Sequence, residues 1–198
     1  MPPKARLPRQ ADLARPSPAR TYDWLLGGTD NFAVDRQFGH ELLELQPIAR
    51  TAARANRAFL VRVVRYMAHR AGLDQFLDIG SGLPTVDNVH EIALRINPAA
   101  RVVYVDNDPH VLTHARALLE HDERTVIVDG DFSDPEALLA DPQIRGHLDL
   151  SRPVGVLALA ALHSCPGTAR RSPPVRCAPR SRPGATWRSP TPRRPRRW

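Results

Sequence analysis

The chain has 198 residues, enough for one core around a full sheet and too few for two comfortable domains. Its formal charge of +7 is local: residues 164–198 hold ten Arg and no Asp or Glu, whereas residues 1–163 hold 18 basic and 21 acidic side chains, a net of −3. The body is therefore not a basic nucleic-acid-binding domain, and no apolar run is long enough to predict a membrane span.

Both cysteines, Cys165 and Cys177, fall in the tail, so the body is expected to have neither a disulfide framework nor a structural zinc site, and a reducing, cytoplasmic setting suits it. Residues 1–20, MPPKARLPRQADLARPSPAR, are basic and lack an apolar centre. They read as a disordered leader and not a secretory signal.

From Thr21 to Gln46 the pattern predicts helix, a tight turn at Gly27-Gly28, and a second helix from about Ala33. Trp24 and Phe38 read as core packing. Tyr22, Asp23, Asn31 and Asp35 place polar groups around the turn, where a lid over a site would sit. From Ile48 to Ala71 a helix is expected, with Phe59, Leu60, Val63, Val64, Met67 and Ala71 inward and Arg50, Arg54, Arg57 and Arg65 on a solvated face; Gly72 stops it.

QFLDIGSGLPT, Gln75 to Thr85, then reads as strand, turn and helix start. Asp78 falls at the carboxyl end of the strand, Gly80 lets the chain turn, and Gly82 removes a side chain where a ligand would clash. A helix is expected from Thr85 to Ile96, a second strand over Arg101–Val105 closing on Asp106, and a helix capped by Asp108-Pro109. That helix carries His110 and His114 at metal-ligand spacing, but no third ligand is near and both alternate with its apolar face. A third strand over Thr125–Val128 leads to Asp129-Gly130-Asp131. Asp134-Pro135 and Asp141-Pro142 cap two short helices, and a continuously apolar fourth strand, Val154 to Leu162, is expected to be covered on both faces. His163 stands at its end, where a general base or a structural histidine would fit equally well. The alternation predicts an α/β fold: a Rossmann-like parallel sheet with four recognisable strands, N-terminal helices and a disordered tail.

Ligands of such sheets bind beyond the carboxyl ends of the strands, and here successive ends carry Asp78, Asp106 and Asp131. A dinucleotide is the first candidate, with Asp106 as the ribose-binding acid. Against it, Pro84 stands at the third glycine position, and Asp78 would repel a pyrophosphate. S-adenosylmethionine reverses the sign, since its sulfonium and ammonium outweigh one carboxylate. Asp78 would then receive the amino group, Asp106 the ribose hydroxyls and Asp131 the adenine amino group.

At ARTYDWLLGGTDNFAVDR, TAARANRAFL, FLDIGSGLPTVDNVHE and RVVYVDNDPHVLTHARALL the chain resembles the class I S-adenosylmethionine-dependent methyltransferases. More narrowly, it resembles an actinobacterial S-adenosyl methyltransferase family of unassigned substrate, over about Ser17 to His163. The resemblance implies S-adenosylmethionine as cofactor and an unknown methyl acceptor. It implies a pocket lined by Asp78, Gly80, Asp106, Asn107, Asp131 and Phe132, with Tyr22, Asn31 and Asp35 helping to cover it.

The family continues past His163 with ordinary mixed sequence, whereas this chain turns into Arg/Pro/Ser/Ala text of the kind that GC-rich codons give in a wrong frame. A frameshift near residue 164 is therefore expected, leaving a leader (1–20), an incomplete cofactor domain (21–163) and a disordered tail (164–198). Two other functions follow from that expectation: a non-enzymatic cofactor-binding remnant, and salt-dependent nucleic-acid binding through the tail.

Overall fold

The structure, a computed structural model, describes residues 12–85, 87–119 and 122–159. Four parallel strands lie in the spatial order β3-β2-β1-β4: β1 at Gln75–Ile79, β2 at Arg101–Asp106, β3 at Thr125–Asp129 and β4 at Gly155–Leu157. The α/β class and the Rossmann-like parallel sheet are as expected. The strand order reverses at β1, because β2 and β3 step away on one side and β4 returns on the other. The crevice that such a reversal opens lies at the carboxyl end of β1, where the Gly-rich turn leaves the sheet.

Alternation along the strands sends Phe76, Val102, Tyr104, Ile127 and Leu157 to one face. There they meet Leu60 and Val64 of α3 (Ala49–Arg65), Ile92 and Ala93 of α4 (Val89–Ile96), and Leu112 and Ala115 of α5 (Pro109–Leu119). Leu77, Val103, Val105 and Val128 point the other way. They pack on Leu138 of α6 (Pro135–Ala140) and Ile144 of α7 (Pro142–His147). The acids Asp134 and Asp141 cap those two short helices as expected, accepting from the N–H groups of Ala137 (3.0 Å) and Gln143 (2.7 Å) respectively.

Several boundaries differ from the sequence reading, each for a local reason. The N-terminal helices are α1 (Pro18–Leu26) and α2 (Ala33–Leu45), joined through Gly27 at φ +93°. The expected leader therefore ends early: Ser17 and Arg20 are buried, because Asp35 draws both inward, while residues 1–11 lie outside the described ones. Phe38 is exposed, although Trp24 does pack, over Gly39 and under the Arg50 guanidinium at 4.7 Å. In α3 the buried stripe is Ala53, Leu60, Val64 and, one turn on, Ala68; Phe59 lies outside it. The helix ends in a π turn, Tyr66–Arg70, and Gly72 at φ +67° stops it. Helix α4 begins at Val89, four residues later than expected. Asp87 adopts φ +60°, and Asn88 caps, its N–H donating to Glu91 Oε2 at 3.0 Å.

Strand β4 is shorter and less covered than its apolar sequence implied. Val156 is 55% exposed, since among the described residues β4 has β1 on one side only, and residues 160–162 of the expected strand lie outside them.

Candidate functional site

The register that pairs Asp78 with Tyr104 puts both side chains on the sheet face covered by α3 and α4. Asp78 is 5% exposed, and its carboxyl has no hydrogen-bond partner among the described residues. Burial pushes its pKa up to about 7; Arg57 pulls it down and the Asp106 charge adds to the rise. Beside it, Tyr104 Oη accepts the backbone N–H of His90 at 3.0 Å and lies 2.9 Å from His90 Nδ1. The hydroxyl proton is then free to go to Nδ1, which leaves the imidazole proton on Nε2. Burial holds His90 below its ordinary pKa and Tyr104 well above its own.

The turn after β1 is fastened to β2. Gly80 and Ser81 both donate to the Val105 carbonyl, at 2.8 and 3.2 Å. Gly82 donates to Asp106 Oδ2 at 2.8 Å, while Asp106 Oδ1 accepts from Asn107 at 2.8 Å and Asp108 at 3.0 Å. Burial raises the pKa of Asp106, those three N–H groups oppose the rise, and Asp108 adds to it. Gly80 and Gly82 both have φ +67°, which an L side chain rarely adopts. A Cβ on Gly82 would meet no atom within 4 Å, so the room above this glycine is open to a ligand.

Asp78, Gly80, Gly82, Asp106 and Asn107 thus gather at the ends of β1 and β2. Asp131 and Phe132 follow at the end of neighbouring β3, where Asp131 Oδ1 accepts from Ser133 at 2.9 Å and Phe132 leans on the core. Arg57, Asp78, Ser81, Asn88, His90 and Tyr104 line a cavity of about 20 Å³ under the turn, room for one water-sized group.

The three residues expected to cover the pocket are engaged elsewhere. Asp35 is fully buried, accepting from Ser17 N–H (2.9 Å), Phe32 N–H (2.9 Å) and Arg20 Nε (2.8 Å). Asn31 donates to Asp23 Oδ2 and to the Gly28 carbonyl, both at 2.9 Å. Tyr22 donates to the Ala53 carbonyl at 3.0 Å and accepts from Asn56 at 2.9 Å, tying α1 to α3. Their polar atoms hold the N-terminal helices together because each found a partner on an adjacent element. What that segment does bring to the strand ends is Ser17, whose Oγ donates to Asp108 Oδ2 at 2.5 Å, and Phe32, whose ring meets that of His110 at 5.4 Å. The His114 ring lies 4.3 Å from that of His110, tilted by 48°. His163 lies outside the described residues.

Arg57 is the site residue that the sequence reading misplaced on a solvated face. It is half-buried, and its Nη2 donates to the Asp87 carbonyl at 3.0 Å and approaches Asn88 Oδ1 at 3.4 Å. The signal was in the spacing, since position 57 continues the stripe of Ala53, Leu60, Val64 and Ala68.

Residues 4–176 match the family described as S-adenosyl methyltransferase. The chain belongs to this family. Among solved structures it is similar to one from Thermobifida fusca described as a candidate methyltransferase, with 51% identity and a TM-score of 0.71, covering 73% of this chain and 55% of that one. It is also similar to a DUF574-family protein from Streptomyces avermitilis, with 42% identity and a TM-score of 0.74, covering 78% and 60% respectively. This S-adenosyl methyltransferase family member therefore spans somewhat more than half the length of either structure. No curated protein matches it. The family match extends beyond both ends of the stretch, Ser17 to His163, that carries the resemblance read from the sequence. Among the described residues of this family member, no helix is long and apolar enough to cross a membrane.

Proposed function

We propose that this chain binds S-adenosylmethionine across the carboxyl edge of its sheet and transfers the methyl group to an acceptor nucleophile. The observation that carries the reading is Asp78: a buried carboxyl with no hydrogen-bond partner among the described residues, under a glycine turn with open space above it. Such a group is costly to ionise, a cost that Arg57 offsets only in part, and the cofactor's ammonium would offset more of it. A pyrophosphate in the same place would add negative charge to two acids, Asp78 and Asp106, whose pKa values burial already raises.

The residues present fit the cofactor along its length. Asp78 would take the ammonium, the Gly80–Gly82 turn would leave room for the methionine chain, and Asp106 would share its outer lone pairs with the ribose hydroxyls. Asn107, Asp131 and Phe132 would border the adenine. S-adenosylmethionine supplies an electrophilic methyl on sulfur. The protein's own part is orientation and exclusion of water at the strand ends. The acceptor's chemistry is open, and the base role of His163 stays an expectation from sequence. A cytoplasmic site of action agrees with cysteines confined to positions 165 and 177.

Calorimetric titration of the full chain with S-adenosylmethionine and, separately, NAD tests the reading. Binding of S-adenosylmethionine that weakens at least about tenfold in Asp78→Asn is the expected result. Binding of NAD with no response to S-adenosylmethionine overturns it.

A further inference from the structure

The amino end of the sheet, opposite the turn after β1, carries a second concavity. Gln75 opens β1 and Arg101 opens β2, and with the end of α7 and the loop into β4 they enclose a cleft of about 560 Å³. That is the size of a small-molecule site. Its inner wall is fixed by Gln75, which is 2% exposed: Nε2 donates to the carbonyls of Asp149 (3.1 Å) and Pro153 (3.4 Å), and Oε1 accepts the Asp149 N–H at 2.6 Å.

Three arginines line this cleft, and they are not compensated alike. Arg152 meets the Asp74 carboxylate at 2.5 Å. Arg101 and Arg145 have carbonyl partners only: Arg101 Nη1 donates to His147 at 3.2 Å, and Arg145 Nε donates to Leu139 at 2.9 Å. The lining carboxylate, Asp149, accepts instead from the N–H and hydroxyl of Ser151, at 2.9 and 2.6 Å. Two permanent positive charges are therefore held in place by dipoles, with most of their donors unclaimed among the described residues, in a body whose net charge is −3.

A carbonyl orients a guanidinium without neutralising it. An anion entering the cleft would neutralise both, and the planar forks suit the oxygens of a phosphate. Two separate forks require more than one anionic group. No Phe, Tyr or Trp lines the cleft, so a base or other ring finds no stacking platform there, and the phosphates themselves must carry the recognition.

We propose that this cleft binds a compact polyphosphate, the di- or triphosphate group of a small molecule, and that Arg101 and Arg145 grip it. The site uses neither the strand-end acids nor the glycine turn, so it stands apart from the cofactor reading.

The test is calorimetric titration of full-length protein with sodium triphosphate, ATP and a single-stranded oligonucleotide, without divalent cations and at about 0.15 M salt. Because residues 164–198 bring ten arginines of their own, two charge-matched variants are compared: Arg101→Gln/Arg145→Gln and Arg193→Gln/Arg194→Gln. Circular dichroism melts establish that each is folded. Triphosphate should bind at least about tenfold more weakly to the first variant and within about twofold of wild type to the second, with Arg101→Lys/Arg145→Lys recovering only part of the loss. ATP binding at least as tightly as triphosphate would point to a nucleotide as the source of the phosphates, and weaker ATP binding to an inorganic chain; both keep the site. Equal weakening in the two glutamine variants, or no binding of triphosphate and ATP by wild type, would overturn it. So would oligonucleotide binding tighter than that of triphosphate and lost in Arg101→Gln/Arg145→Gln, which would make the cleft a nucleic-acid groove.

Discussion

The N-terminal helices and the strand-end turn use the same residue types to opposite ends. In α1 and α2 every acid that draws attention in the sequence is matched. Burial alone would raise the pKa of Asp35, but the hydrogen bond and charge of Arg20, with the Phe32 and Ser17 N–H groups, outweigh it and hold the carboxyl below its usual value. At the end of β1 the balance inverts. Asp78 is also buried, receives no hydrogen bond among the described residues, and is pushed up to about 7. A buried aspartate with its donors in place reads as framework, and one without them marks a place where something else is meant to bind.

Breaking the framework side should give the largest effect. Asp35→Ala strands the Arg20 guanidinium in a dry site, and a loss of about 3–5 kcal/mol in urea unfolding is expected. A loss under 1 kcal/mol would show that the pair is not the anchor described here.

Asp78→Asn should behave in the opposite way and sharpen the contrast. The folded carboxyl titrates near 7 while the unfolded one titrates near 3.8, so wild-type stability is unaffected below about pH 4 and falls as pH rises through that window. The variant removes the titration. Its stability should match wild type near pH 4 and exceed it by on the order of 4 kcal/mol at pH 8, with cofactor affinity reduced at both. Wild-type affinity for S-adenosylmethionine should itself rise between pH 6 and pH 7.5 as Asp78 ionises, with proton release seen as a buffer-dependent heat. A pH-independent stability difference between the two proteins would contradict the raised carboxyl.

Gly82→Ala imposes a side chain on φ +67° without a steric neighbour, so about 1–2 kcal/mol is expected from the backbone alone, together with weaker cofactor binding. Stability loss with unchanged affinity would place the ligand elsewhere. The smallest effect belongs to the capping acids: Asp141→Ala should cost about 1 kcal/mol and leave affinity untouched.

Much of the fold and of the strand-end acids was legible because both follow short-range rules. Apolar runs leading to Asp78, Asp106 and, past Asp129-Gly130, Asp131 needed only strand length and turn chemistry, and the caps at Asp108, Asp134 and Asp141 needed only Asp-Pro. What the sequence concealed depends on partners far along the chain. Tyr22 looked like lid because nothing in its neighbourhood announces the Ala53 carbonyl or Asn56, over 30 positions away. Nothing near Asp106 announces that its carboxylate closes on Gly82, 24 positions back. Arg57 was lost for a different reason: arginines at 50, 54, 57 and 65 invite a single face, and only the buried stripe separates the third from the rest.

The hydrogen bond from Gly82 to Asp106 makes two functional positions into one moving part. A rotation of the Asp106 side chain toward any new donor releases the Gly82 amide at the same moment, and a shift of the turn leaves the carboxylate unbalanced. The end of β2 and the turn after β1 therefore cannot be retuned separately: an engineer who lengthens the acid to Asp106→Glu must reshape the glycine turn too, or lose the geometry of both.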